Sequence, residues 1–314
     1  MGMGSDPLRG LTPPVPPGVD MEKYYNNKLA IFLFAFPALF LFTAFVIYPI
    51  LPEIAISFQK NNGFVNDGYV GFANYLKVLR DRTFWLSNRN TFLIVALSLL
   101  VGLPLSLLLA LVMDRQTEGV RRFFKASSVF PAVLSVTVIA QMWIALYEPN
   151  WGLINSVLRG IGLDGLATAW LSNETTVVPA IAIAFLWQYI GLNALLFYTG
   201  IKSIPPTYYE AATIDGANFA QVSLRITIPL LQDITKYLLV ISTLGCMAQF
   251  AHVRIMTGGG PGDASRTVIY QLYYKAFSTS DFGQGCAIAI LFILECLAIN
   301  HFIQRFVARE KIEF

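Results

Sequence analysis

Charged side chains are scarce in this chain. Asp, Glu, Lys and Arg make up 13% of its 314 residues, where a soluble domain carries about a quarter. Too few charges remain to clothe a water-soluble globule, and a formal net charge of +3 is no basic field of the kind that gathers nucleic acid, so no nucleic-acid partner is expected. Cysteine is nearly missing as well. Cys246, Cys286 and Cys296 lie in or beside apolar stretches, and an odd count in such places excludes a disulfide framework, leaving packing as their default role. With 2 histidines and no clustered Cys/His pairs, the chain offers no metal site. No nucleophile, base and orienting group are spaced as a catalytic set. The glycine-rich run Gly258-Gly-Gly-Pro-Gly262 lacks the Lys-Ser/Thr of a phosphate-binding loop and follows no strand. The expected protein is not an enzyme and binds no cofactor of its own.

What fills the chain instead is apolar. Hydrophobic residues reach 55% and the mean hydropathy is +0.58. Six stretches approach the ~20 residues that a helix needs to cross a bilayer: Leu29 to Leu51, Thr91 to Met113, Ala126 to Leu146, Val177 to Tyr198, Tyr237 to Val253 and Cys286 to Val307. The expected fold is an all-α polytopic membrane protein, with a spanning domain over residues 29–308. Ahead of it, residues 1–28 carry Pro7, Pro13, Pro14, Pro16 and Pro17 and little to pack, which reads as a disordered tail without the pattern of a cleaved signal peptide. Residues 309–314 form a short end.

The most informative segment joins the fourth and fifth stretches, within 202–235. A connector between neighbouring helices needs only a few residues, yet Pro205 to Pro229 is long, polar and rich in small side chains. Pro205 and Pro206 suit a helix start, where a missing N–H costs nothing. Asp215-Gly216 supplies a turn, and Phe219, Val222 and Ile226 fall at i, i+3 and i+7 on a second helix, with Pro229 expected to end it. Glu210-Ala211-Ala212, Gly216 after three residues and Ile226-x-Ile228-Pro229 after nine more resemble the EAA loop of binding-protein-dependent ABC importer permeases, with Ile228 standing where that family usually has Leu. The resemblance implies a type I importer fold in which this loop is a cytoplasmic coupling helix docked in a cleft of an ATPase subunit. Tyr209, Glu210, Ala211, Ala212, Asp215, Gly216, Ala217, Ile226 and Pro229 would then carry the docking. It also implies an ATPase dimer that holds ATP and Mg, a second homologous permease and an extracytoplasmic solute-binding protein as partners.

Further segments extend the likeness toward the sugar branch of that family, of the maltose and glycerol-phosphate transporter type. They are Tyr69-Val-Gly-Phe-Ala-Asn-Tyr-Leu76, Phe84-Trp85, Asn90-Thr91, Gly152-Leu-Ile-Asn155 and Thr257-Gly-Gly-Gly-Pro-Gly262. With the N-terminus inside, cytoplasmic segments hold more Lys and Arg than outer ones, and the outer excess sits mostly in the long first outer loop. By the positive-inside rule both termini are cytoplasmic, in a bacterial inner membrane.

The cargo can be read from the spans themselves. Ser242, Gly245, Cys246, Gln249 and His252 share one face of the fifth stretch, and Trp187, Gln188, Tyr189, Gly191 and Asn193 cluster in the fourth. Polar groups in lipid must face the bundle or a wet cavity. Neutral amides, hydroxyls and aromatic faces suit an uncharged sugar, so Trp187, Gln188, Tyr189, Asn193, Ser242, Cys246 and Gln249 are expected along its path. His252 is expected near the membrane surface. Helix packing alone explains any single one of these residues; the two stripes together favour a path. Glu295 is an acid within the sixth stretch, read as a structural carboxyl facing a partner subunit. An ion-coupled secondary transporter, or a permease for glycerol phosphate, stays open as the alternative.

Overall fold

The computed structural model describes residues 28–307 and divides into two compact units, Met1–Glu53 and Ile54–Phe314. Apart from Lys28, the expected tail over 1–28 lies outside the described residues, as does the 309–314 end. In the first unit, α1 (Lys28–Phe42) passes through a π-helical turn, Thr43–Ile47, into α2 (Tyr48–Ser57), which runs on into the second unit. Residues Ile31–Ser57 together are long and apolar enough to cross a membrane.

The second unit begins with a small folded element rather than an open loop. Strands β1 (Gln59–Asn61) and β2 (Asn66–Tyr69) pair antiparallel and lead to α3 (Ala73–Arg80). The Asn74 amide donates to the carbonyls of Ser57 and Gln59, both at 2.8 Å, which ties α3 to the chain that precedes it. The second span is α4 (Arg82–Leu97), a π-helical turn Ser98–Gly102 and α5 (Leu103–Asp114). It starts nine residues before the expected Thr91 because the Asp81 side chain accepts the Thr83 N–H at 2.8 Å, an N-cap that satisfies a donor the helix cannot.

The third span departs from expectation. Ala126 to Leu146 is not one helix but the end of α6 (Glu118–Val133) and the whole of α7 (Val136–Leu146), bent by 97°. Pro131 removes an N–H inside α6, Leu134 is extended at ψ 148°, and the Ser135 hydroxyl caps α7 by accepting from Thr137 N–H. Each freed backbone group near the bend thus meets a local cause. After α8 (Leu153–Gly160), the fourth span α9 (Val177–Ser203) runs five residues past Tyr198. Three short helices follow, α10 (Pro206–Ile214), α11 (Phe219–Val222) and α12 (Ile228–Leu230), the last two joined by a π-helical turn, Ser223–Thr227. Pro229 therefore does not end the second helix, which continues to Leu230. A widened turn just ahead of it shifts the carbonyl that the proline ring would otherwise strike.

The fifth span is interrupted. α13 (Gln232–Met247) stops inside the expected Tyr237 to Val253 stretch, and α14 (Ala251–Met256) resumes after three residues. α15 (Val268–Tyr273) and α16 (Phe282–Val307) complete the unit. Among the described residues, five helices qualify as membrane spans, and the bent α6–α7 pair makes a sixth when its halves are counted together.

Helix α9 organises this unit. Its first half joins a core of Ile94, Ile139, Trp143, Ile181, Phe185 and Met247, and its second half joins another of Leu103, Met113, Phe197, Ile201 and Leu238. In lipid, close helix contact relies on small residues and cross-helix hydrogen bonds. The Ser106 hydroxyl reaches the Ile190 carbonyl at 2.9 Å, and a Cβ on Gly191 would sit 2.0 Å from the Ser128 carbonyl oxygen. The loop before α15 is stitched to α4: the Asn90 amide donates to Ala264 and Arg266 carbonyls at 2.7 and 2.9 Å, and the Thr91 hydroxyl accepts Val268 N–H at 3.1 Å. Gly191→Ala should overpack the α9–α6 contact and destabilise the protein by about 1–3 kcal/mol. The check is its melting temperature in detergent; a value equal to wild type would show that α6 yields freely.

Candidate functional site

Two features stand out, a cavity within the helices and a groove on the short helices that follow α9. The cavity occupies about 550 Å³. It opens where α9 passes between its two apolar cores, and one face of that helix, with Phe185, Tyr189, Asn193 and Leu196, lines it.

The break after α13 shapes the opposite wall. Met247 is the last residue of regular helix, and Gln249 then bonds back through its N–H to Cys246 at 3.2 Å. Its carbonyl is outside the helical ladder and accepts the Thr267 hydroxyl at 2.6 Å instead. An unpaired carbonyl at membrane depth would cost several kcal/mol, so Thr267 makes the break tenable. The break lets Ala248, Gln249 and Phe250 enter the cavity wall beside Ser242, Gly245 and His252.

Of the residues expected along a path, Tyr189, Asn193, Ser242 and Gln249 line this cavity. Trp187, Gln188 and Cys246 do not. Trp187 packs edge-on against Trp143 at 6.1 Å, Gln188 is buried in the helix interface and Cys246 belongs to the apolar core. α9 is a regular helix here, so Trp187 and Gln188, at 100° per residue, point away from the face that Phe185, Tyr189 and Asn193 turn to the cavity. His252, expected near the membrane surface, is 2% exposed within the chain, with Nδ1 3.1 Å from Gln249 Oε1. Ser98 and Gly102, from the π-helical turn of the second span, and Val136, at the third-span bend, also line the cavity. The i, i+4 pairing of Ser98 and Gly102 was a visible hint, whereas Val136 was recoverable only from the bend. No Asp, Glu, Lys or Arg is among the lining residues. The wall therefore offers neutral donors and acceptors beside Phe185 and Phe250, a combination that hydrogen-bonds hydroxyls and covers apolar ring faces. Glu295 lies outside this cavity, beside the Asn88 side chain, with its Oε2 buried and unpartnered among the described residues.

The second feature is built by capping. α10 starts with Pro205 as its cap and Pro206 in its first turn. It ends in a Schellman motif, with Ala217 N–H on the Ala212 carbonyl at 2.9 Å and Gly216 N–H on Thr213 at 3.1 Å. That motif needs a left-handed residue, and Gly216 has φ +71°. Asn218 and Gln221 then form a reciprocal capping box that starts α11. The corner encloses a groove of about 570 Å³ lined by Tyr208, Ala211, Ala212, Asp215, Ala217 and Ile226, among others. Glu210, Gly216 and Pro229 are exposed outside it. Tyr209 turns inward, its hydroxyl 3.4 Å from Thr227 Oγ1. The Arg115 guanidinium sits 3.6 Å from the Phe219 ring centroid, pinning the corner to the chain after α5. Ile214, which sequence reasoning passed over, is 87% exposed at the end of α10.

The comparisons agree with this architecture. The sequence family described as "binding-protein-dependent transport system inner membrane component" matches residues 102–312. The probable ABC transporter permease protein YurN of Bacillus subtilis (strain 168) is 34% identical over 277 residues, covering 88% of this chain and 94% of that one. The arabinooligosaccharides transport system permease protein AraP of the same strain is 31% identical over 282 residues, covering 89% and 88%. A chain in a crystal structure of a bacterial ABC transporter involved in the import of the acidic polysaccharide alginate superposes with a TM-score of 0.79, at 23% identity over 91% of this chain and 98% of that one, which shows the shared fold. Apolar helices, an interrupted fifth span, a capped corner and these matches converge: the chain belongs to the binding-protein-dependent inner-membrane components of ABC transporters, as a permease subunit.

Proposed function

We propose that this permease passes an uncharged sugar or oligosaccharide, and that the cavity beside the α13 break is the place through which it moves. The observation that carries the reading is the cavity's lining, polar yet without a single formal charge. A glycerol phosphate would bring about −1.5 to −2 charges into that space, and no Lys or Arg lines it. The resemblance of sequence supports the sugar class independently, and membership of the ABC family removes the ion-coupled alternative.

The groove formed by Ala211, Ala212, Asp215, Ala217 and Ile226, with Tyr209, Glu210, Gly216 and Pro229 around it, is the docking surface for an ATPase subunit. Ile214 strengthens that assignment, because an exposed isoleucine gains about 1.5–3 kcal/mol on burial. ATP and Mg belong to the ATPase dimer. A second permease and an extracytoplasmic binding protein complete the importer, with both termini of this chain and the α10–α12 corner on the cytoplasmic side.

The decisive experiment is uptake by proteoliposomes containing the chain with its co-purified ATPase, second permease and binding protein. ATP-dependent uptake of maltose or arabinotriose, without uptake of glycerol 3-phosphate, is the expected result. Uptake that ignores ATP and follows an ion gradient would sink the reading.

Two substitutions probe the sites separately. A Cβ on Gly216 meets no atom within 4 Å, so a side chain has room there, while the φ of +71° strains residues that avoid the left-handed region. Gly216→Asn keeps access to the left-handed region and should retain transport, whereas Gly216→Trp should abolish it while leaving membrane insertion intact; equal uptake by the two variants would refute steric docking. Gln249→Leu should lower the maximal uptake rate about tenfold, the loss of roughly one hydrogen bond to cargo, with the ATPase subunits still assembled. Wild-type kinetics in that variant would remove Gln249 from the path.

A further inference from the structure

Resting on that cargo reading, we propose that His252 is a positioning residue: its imidazole holds the Gln249 amide so that the NH₂ group, not the carbonyl oxygen, faces the cavity. The geometry is specific. Nδ1 of His252 lies 3.1 Å from Oε1 of Gln249, and the pair is buried. A carbonyl oxygen only accepts, so the ring nitrogen must carry the shared hydrogen. The other ring nitrogen, Nε2, is buried and has no hydrogen-bond partner among the described residues. A bare lone pair left in that position is tolerable, whereas an imidazolium would bury an unpaired N–H and a charge together. None of the residues lining the cavity is acidic, and Phe185 covers the ring edge-on at 5.8 Å. The ring is therefore neutral, with its proton on Nδ1.

That tautomer decides what Gln249 shows to a solute. The amide oxygen and nitrogen are nearly the same size, and a free glutamine side chain exchanges them by a half-turn. With Oε1 held by His252 and the Gln249 backbone held by Thr267, the half-turn is blocked and the NH₂ is left as a fixed donor, without a partner among the described residues. A fixed donor reaches ring and glycosidic oxygens, which cannot donate, as well as hydroxyls. An acceptor in the same place would reach hydroxyls alone. His252 thereby sets a preference for the acceptor-rich edge of a saccharide through the amide that it orients.

The pair is tested first without any cargo. The full chain, labelled with nitrogen-15 histidine and carrying His301→Gln to remove the only other histidine, is placed in lipid bilayers for solid-state NMR. A protonated Nδ1 and a bare Nε2 are expected, and Gln249→Leu should shift the Nδ1 signal. A proton found on Nε2, or a spectrum indifferent to Gln249→Leu, would overturn the proposal. The second test is ATP-driven uptake of radiolabelled maltose and arabinotriose by the assembled importer. His252→Phe should reduce the maximal rate about tenfold at an unchanged half-saturating concentration. His252→Asn, whose amide N–H₂ lies near the place of Nδ1, should recover at least part of it. In the Gln249→Leu background His252→Phe should add nothing, since two residues acting as one unit are non-additive. Additive losses would assign His252 a purely structural role and end the proposal. If the wild-type importer moves neither sugar, the cargo reading itself fails, and the NMR result alone then decides the pairing.

Discussion

One carbonyl governs the central cavity of this permease. The fifth span leaves the helical path after Met247 and resumes at Ala251, so the Gln249 carbonyl stands outside the helical ladder. In water such a break would be routine. Within a membrane an unpaired carbonyl is expensive, and the Gln249 oxygen is rescued by the Thr267 hydroxyl at 2.6 Å. Thr267 is available because it caps α15, and α15 is held in place by the bonds from Asn90 and Thr91 on the second span. The cavity thus depends on a chain of hydrogen bonds that runs from the second span, through the loop before α15, to the break.

The same economy appears on α9. Its middle is free to line a cavity because its two halves are clamped by separate apolar cores, and because Gly191 lets α6 come close enough to hold it without a bulky interlock. Small residues and one cross-helix bond from Ser106 do what large side chains do in a soluble core. The α10–α12 corner is rigid for a different reason: a Schellman motif, a capping box and the Arg115–Phe219 contact follow one another without a free turn between them.

Several elements were legible before any coordinates. Apolar length alone located the spans, since the bilayer imposes it, and Pro206, Gly216 and Asn218 announced the start, stop and restart of the corner through local stereochemistry. The failures share a cause. The expected third span was one continuous helix, but Leu134 and Ser135 belong to a 97° bend that no periodicity reports. Trp187, Gln188 and Cys246 lie beside the lining faces of α9 and α13 rather than on them, and which neighbouring face is packed is set by the helices around it. His252, expected near the membrane surface by counting along the span, is buried among its neighbours, which a count along one helix does not report.

The amino-acid order by itself determined the class of this protein: an apolar chain with too few charges for water, and a corner whose glycine, prolines and caps admit one local geometry. Those are consequences of solvent and of backbone sterics, which act residue by residue. Which polar side chains meet around a common space was decided only by the tertiary structure. That outcome depends on where helices break, and a helix breaks where a distant hydroxyl, here that of Thr267, can take over the hydrogen bond that is given up.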